Sequence, residues 1–241
     1  GKEIENLLDN LPKNKVEVSF DLGPKVEVLG YHKNKYFVEF IDGNTNEVIH
    51  SDTISNNMWT KCSKSYHIPW VIKVNGKIIH VFSLKDKTVK ISLESRSIGD
   101  TLAWSPQVIE FAKHYKCKVI LSTFHNDWFE SLEEYKDITF IKPGEDCSYY
   151  ASFQIGWFRD ENNGWKNFND HPTQVNTIPL IQAATDILRI PYKELHYGIN
   201  FTPKKRPIKG KYICIGPRST SGLKEWPYEH WKNLAKKLHS K

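Results

Sequence analysis

The chain has 241 residues, 39% of them hydrophobic and 26% charged, with a formal net charge of +6 and a pI near 8.9. This length suits two modest domains with cores of their own, and an aromatic content of 13% excludes a largely disordered chain. No stretch approaches the roughly 20 apolar residues of a membrane helix, and the start Gly1-Lys-Glu-Ile-Glu5 has neither the basic nor the apolar segment of a signal peptide, so no membrane insertion and a cytoplasmic location are expected.

Basic residues cluster at Lys204, Lys205 and Arg206, with Lys209 and Lys211, and again at Lys236 and Lys237. A solvated linker and a basic last helical turn explain these clusters, and no nucleic acid partner is expected. Cys62, Cys117, Cys147 and Cys214 are far apart with no C-x-x-C pair, and the histidines show no H-x-x-x-H spacing, so no metal site is expected within the chain.

Residues 2–10 carry a short helical pattern that Pro12 ends. From Lys15 the period changes to two. Val16, Val18 and Phe20 alternate with polar residues, Gly23-Pro24 makes a turn, and Val26 and Val28 resume the alternation. Asp42 to Asn46 and Asn75-Gly76 are hairpin signals between apolar runs. Residues 14–84 therefore read as a small antiparallel β module, with 1–85 as a first domain. Trp59, Tyr66 and Trp70 in that module are candidates either for its core or for a sugar or polypeptide surface.

Near Asp86 the pattern becomes strand alternating with helix. A strand over 88–93 precedes a helix over about 101–115. A strand over 119–122, a short helix over 126–135 and a strand over 138–141 follow. Such alternation predicts a parallel sheet covered on both faces, here assigned to a domain spanning 86–202. The apolar run Ala151 to Phe158 leads into an Asn-rich loop, and residues 177–188 read as a helix with Pro179 in its first turn. After a Pro- and Lys-rich linker, Tyr212-Ile-Cys-Ile215 reads as a strand, followed by a loop of small residues and a helix from Tyr228 to His239. Residues 203–241 are thus expected to begin a second doubly wound domain.

Two loops stand out for chemistry. The turn Gly99-Asp100-Thr101-Leu102 puts a carboxylate between a strand and a helix, where open α/β sheets bind ligands. Taken alone, Asp100 is equally a helix cap. The loop Arg218 to Lys224 offers backbone N–H groups, the hydroxyls of Ser219, Thr220 and Ser221, and the Lys224 cation, which suits a diphosphate or an ordinary flexible loop.

Together the two loops resemble those of heptosyltransferase-like glycosyltransferases of the GT-B type. That superfamily carries a G-D-x-L turn in its first nucleotide-fold domain. It opens the second with a G-P segment ending in K-x-W-P, matched here by Gly216, Pro217, Lys224, Trp226 and Pro227. More narrowly, the stretch Ser95 to Trp104, Asn57-Met-Trp59, Ile155 to Phe158 and Pro179 to Leu188 resemble the bacterial autotransporter heptosyltransferases, which also carry a small β domain ahead of the catalytic part.

The resemblance implies a protein O-glycosyltransferase moving heptose from ADP-heptose to serine hydroxyls of autotransporter passengers. It implies Asp100 as general base and Lys224 on the donor pyrophosphate, with Gly99, Thr101 and Ser219 to Ser221 in support. It also implies homo-oligomer formation, and an iron-binding finger together with an adenosine pocket that would lie beyond Lys241. One strand and one helix cannot bury their own faces, so the chain reads as truncated within its C-terminal domain, and a molecule ending at Lys241 is expected to be inactive. Two other readings stand beside this one: a GT-B transferase with another nucleotide sugar or acceptor, and a non-catalytic binding or assembly module.

Overall fold

The computed structural model describes residues 11–64, 66–160, 164–167, 177–195, 197–202, 205, 208–219 and 222–239; for 157–160 and 164–167 only the backbone is described. The helix expected over 2–10, most of the Asn-rich loop, Thr220 and Ser221 lie outside the described residues. The chain forms two compact units, Gly1–Phe201 and Thr202–Lys241.

The first unit is built on a seven-stranded sheet and a four-stranded one. The strands are β1 (Lys15–Asp21), β2 (Lys25–Leu29), β3 (Tyr36–Asp42), β4 (Val48–Ile54), β5 (Met58–Lys61), β6 (Trp70–Val74) and β7 (Lys77–Val81), then β8 (Thr88–Leu93), β9 (Lys118–Ser122), β10 (Ile138–Ile141) and β11 (Ala151–Ile155). The large sheet has the order β10-β9-β8-β11-β1-β2-β5, and the small antiparallel sheet the order β4-β3-β6-β7. A separate hairpin pairs β12 (Trp157–Asp160) with β13 (Gly164–Asn167).

The large sheet changes character at β1. Strands β10, β9, β8, β11 and β1 are parallel, with Phe20 of β1 in register with Ala151 of β11, and β2 and β5 continue it antiparallel. Residues 14–84 are therefore not one antiparallel module. Their strands β1, β2 and β5 extend the parallel sheet, and only β3, β4, β6 and β7 form a sheet of their own. Alternation set the inward face of β1, β2 and β8 correctly, but it carries no information on which neighbour a strand pairs with.

The hairpins follow from backbone chemistry. Asn75 (φ 50°) and Gly76 (φ 76°) take the two positive φ values of the turn between β6 and β7, and the Asn75 side-chain oxygen accepts the Phe37 N–H at 2.8 Å.

Helix α1 (Ile98–Tyr115) packs on β8 and β9, and helix α2 (Leu180–Leu188) packs on β11 and against α1, which places both helices on one face of the sheet. Val89, Ile91 and Leu93 of β8 meet Trp104, Val108 and Phe111 of α1 in a core shared with Phe40, Trp70 and Ile72 of the small sheet. Trp70 is thus core, while Trp59 is 58% exposed. The opposite face of the sheet carries Lys90, Ser92, Ser152 and Gln154, not the aliphatic residues that a doubly covered parallel sheet requires, so the expected cover on both faces is not what these strands encode. Two single 3₁₀ turns, Asn126–Trp128 and Glu133–Tyr135, replace the helix expected over 126–135. Asn126 accounts for this, since its amide donates to the Ile141 carbonyl at 2.7 Å and its oxygen accepts the Thr123 N–H at 3.2 Å, holding the chain in a turn.

The second unit contains a 3₁₀ turn, Gly222–Lys224, and helix α3 (Tyr228–His239). Tyr212 to Ile215, expected as a strand, is irregular and is not part of any strand among the described residues.

Candidate functional site

The carboxyl ends of β8, β9, β10 and β11 make one edge of the parallel sheet, and Asp100 sits there. The loop after β8 is fixed at its start by the Glu94 N–H, which donates to the Ile155 carbonyl at 2.9 Å. Three residues later the chain enters α1. Its N-cap is Ser97, so Asp100 is the third residue of the first turn and not the cap. A carboxylate at that position faces the positive end of the helix dipole.

Ser95 holds it. The Ser95 hydroxyl donates to Asp100 Oδ2 at 2.6 Å, and the same oxygen accepts the Ser97 N–H at 3.1 Å. Asp100 is half-buried. Thr101, the next residue, is fully buried and donates its hydroxyl to the Ser97 carbonyl at 3.0 Å, which braces the helix start. Gly99 lies inside the helix without a positive φ. A Cβ added there would meet nothing closer than the Ser97 hydroxyl at 4.0 Å, so backbone geometry does not demand a glycine.

Two cationic or titratable groups stand at the same edge and were not singled out from the sequence. The Arg96 guanidinium lies over the Phe124 ring at 4.7 Å. His125 makes a 3.2 Å hydrogen bond to the Arg96 carbonyl and stacks on Trp128 at 4.0 Å. Their signal was positional, since His125 lies three residues past the end of β9 as Arg96 lies three residues past the end of β8. The edge thus offers a carboxylate held by a hydroxyl, an arginine and an imidazole.

The second half of the expected site belongs to the second unit. Lys224 closes the 3₁₀ turn and is exposed, and the Ser219 N–H donates to Glu225 Oε1 at 2.8 Å. Trp226 stacks on His230, with ring centroids 5.1 Å apart. Asp100, Gly99 and Thr101 are brought together by α1, whereas Ser219 and Lys224 lie on their own loop. Among the described residues no three His, Cys, Asp or Glu side chains gather as a metal-binding group.

Comparison with known proteins bears on this edge. No family model matches the sequence. The chain is 25% identical over 205 residues to the autotransporter heptosyltransferase Aah of Escherichia coli, covering 81% of this chain and 50% of that protein. It is 24% identical over 203 residues to TibC of Escherichia coli, covering 80% and 48%. It is also 25% identical over 185 residues to BimC of Burkholderia thailandensis, named an inactive autotransporter heptosyltransferase, covering 73% and 42%. The chain therefore spans about half the length of these relatives. The solved structure of TibC, described as an iron-containing dodecameric glycosyltransferase, superposes with a TM-score of 0.77 at 22% identity over 96% of this chain and 61% of that one. A second TibC structure, in complex with ADP-D-β-D-heptose, also gives 0.77. The likeness to autotransporter heptosyltransferases read from Ser95 to Trp104 and its companion stretches is borne out by these relatives, and so is a mixed α/β fold with a parallel and an antiparallel sheet.

Proposed function

We propose that this chain is the acceptor-side part of a GT-B glycosyltransferase that moves heptose from ADP-heptose to serine hydroxyls of an autotransporter-type protein. Asp100 is the general base in this reading. The observation that carries it is the Ser95-held carboxylate at the carboxyl edge of the parallel sheet, on a fold shared with a protein solved with ADP-heptose.

The chemistry is balanced by two groups. A serine hydroxyl is a weak nucleophile until a positioned carboxylate takes its proton as the new bond forms. The serine oxygen bonds to the anomeric carbon, the bond from that carbon to the diphosphate oxygen breaks, and ADP leaves with the electron pair, inverting the centre. The proton stays on Asp100 until solvent removes it. Lys224 supplies positive charge to the departing diphosphate, with Ser219, Thr220 and Ser221 as supporting donors. TibC is described as containing iron and as a dodecamer. Oligomer formation by this chain is part of the proposal, as is a cytoplasmic location, with which the absence of a membrane-length apolar helix among the described residues is consistent. Among the described residues no His, Cys, Asp and Glu side chains gather as an iron ligand set.

The test, run on an enzyme with its C-terminal donor-binding domain in place, is a mass shift of one heptose on a serine-containing acceptor incubated with ADP-heptose, abolished by Asp100→Ala. Full transfer by that variant would reject the role of Asp100. A non-catalytic reading has one specific support, that BimC is named inactive. It predicts acceptor binding with no mass shift in either protein.

A further inference from the structure

At the other end of α1 from Asp100, about 24 Å along the axis at 1.5 Å per helical residue, the first unit contains a cavity of about 540 Å³. It lies at the amino-terminal edge of the parallel sheet, where Lys85 precedes β8 and Lys116 joins α1 to β9. Buried Leu84 and Phe153, with half-buried Ile68 and Phe82, make its wall apolar. Exposed Lys85, Lys116 and Arg189 line its mouth, and no carboxylate lines it. Pockets of this size and makeup, apolar with a few polar groups, are the usual form of small-molecule sites.

Helix ends alone do not explain the cations. Lys116 and Arg189 are the C-caps of α1 and α2, where positive charge is favourable in any case. Lys85 is on no helix, yet it joins them, and none of the three forms an ion pair among the described residues. Arg189 keeps its guanidinium over Tyr66 at 5.1 Å, which fixes the group and leaves its edge free for an anion.

A second observation is independent of charge. His67 lines the cavity and is 3% exposed. Its Nε2 lies 2.8 Å from the Ser152 carbonyl, which can only accept, so Nε2 carries the ring proton. Burial pushes the His67 pKa down to about 4, so the ring is neutral at pH 7 and Nδ1 is a bare acceptor. Nδ1 is buried and has no hydrogen-bond partner among the described residues. Such a group is rare in folded proteins and is satisfied when a donor arrives. His67 also stacks on Phe82, with centroids 5.1 Å apart, which fixes the plane of the imidazole.

We propose that this cavity is a ligand site, separate from the Asp100 edge, for a small aromatic anion bearing an N–H or O–H donor. The ring lies against the apolar wall of Ile68, Leu84 and Phe153, the donor meets His67 Nδ1, and the anionic group sits among Lys85, Lys116 and Arg189. The probe is 1-anilinonaphthalene-8-sulfonate, which has aromatic rings, a sulfonate and an N–H. Titrated into the protein, it should give one saturable fluorescence rise. The double charge reversal Lys85→Glu with Lys116→Glu, both exposed, should weaken binding at least tenfold while circular dichroism is unchanged. His67→Phe keeps the ring and removes the acceptor, and should weaken binding several-fold. A fluorescence rise that does not saturate, or an affinity that the charge reversal leaves unchanged, would overturn the proposal whatever the transferase assay shows.

Discussion

The Ser95 hydroxyl donates to Asp100 Oδ2 over 2.6 Å and accepts the Ser97 N–H over 3.1 Å, so one side chain joins the loop after β8 to the first turn of α1. In the proposed reaction the other carboxylate oxygen, Oδ1, takes the substrate proton. Replacing the base by Asp100→Asn should lower the transfer rate by about 10²–10⁴-fold, the usual contribution of general base catalysis. Ser95→Ala keeps the base and loosens it. The expected result is a fall in kcat of about tenfold with KM little changed, because a misaligned base costs the transition state and not substrate binding. Steady-state kinetics on both variants check this, and a Ser95→Ala enzyme with wild-type kcat would remove Ser95 from the site.

Gly99 gives a second prediction, and an unusual one for a glycine. It sits in the first turn of α1 with helical backbone and empty space where a Cβ would go. On helix propensity, Gly99→Ala should stabilise the protein by about 0.5–1 kcal/mol. If the space beside Asp100 is where the acceptor approaches, the same methyl group should raise KM for the acceptor. The two measurements together, a higher Tm and a higher KM, mark a glycine kept for access. A higher Tm with unchanged kinetics would mean that the position serves neither fold nor substrate.

His67 makes stability depend on pH. Its folded pKa of about 4 lies below the ordinary value of 6.5, with burial as the cause, so the unfolded chain binds a proton between those values that the folded one does not. Its contribution is therefore fully present above about pH 6.5 and is lost as pH falls toward 4. A shift of this size corresponds to about 3 kcal/mol. Denaturant unfolding at pH 7 and at pH 4.5 should show the fall, and His67→Phe should remove most of the slope. His80 is displaced in the same direction by its partial burial and retains a smaller part of it.

Much of this architecture can be read from local chemistry, and the rest resists for a physical reason. The turn at Asn75-Gly76 and the alternation of β1, β2 and β8 are written in consecutive residues. The pairing of β1 with β11 joins Phe20 to Ala151, and no local pattern specifies a contact over that separation. Strand β5 was not anticipated because three of its four residues are exposed, leaving no alternation to detect. At the site, Asp100 was legible through its motif. Arg96 and His125 were not, since they meet only when the β8 and β9 loops are side by side. Thr101 reads from sequence as a supporting polar group, and burial shows that its hydroxyl is spent on the helix.

Trp104 links the site to the core and carries the last prediction. It lies one turn beyond Asp100 on α1, is fully buried, and its Nε1–H donates to the Leu180 carbonyl at 3.1 Å. That bond joins the start of α2 to the first turns of α1. Trp104→Ala removes a large core side chain and should cost about 3–5 kcal/mol. For a chain of this size, that lowers Tm by roughly 10 °C. Trp104→Phe restores most of the packing but leaves the Leu180 carbonyl without this donor, at a cost of about 1–3 kcal/mol. Because Asp100 is carried on the same helix, transfer by Trp104→Phe should fall more steeply than its stability loss alone explains, and a kcat equal to wild type at a temperature where the variant is fully folded would show that the helix start is held by Ser95 and Thr101 without help from Trp104.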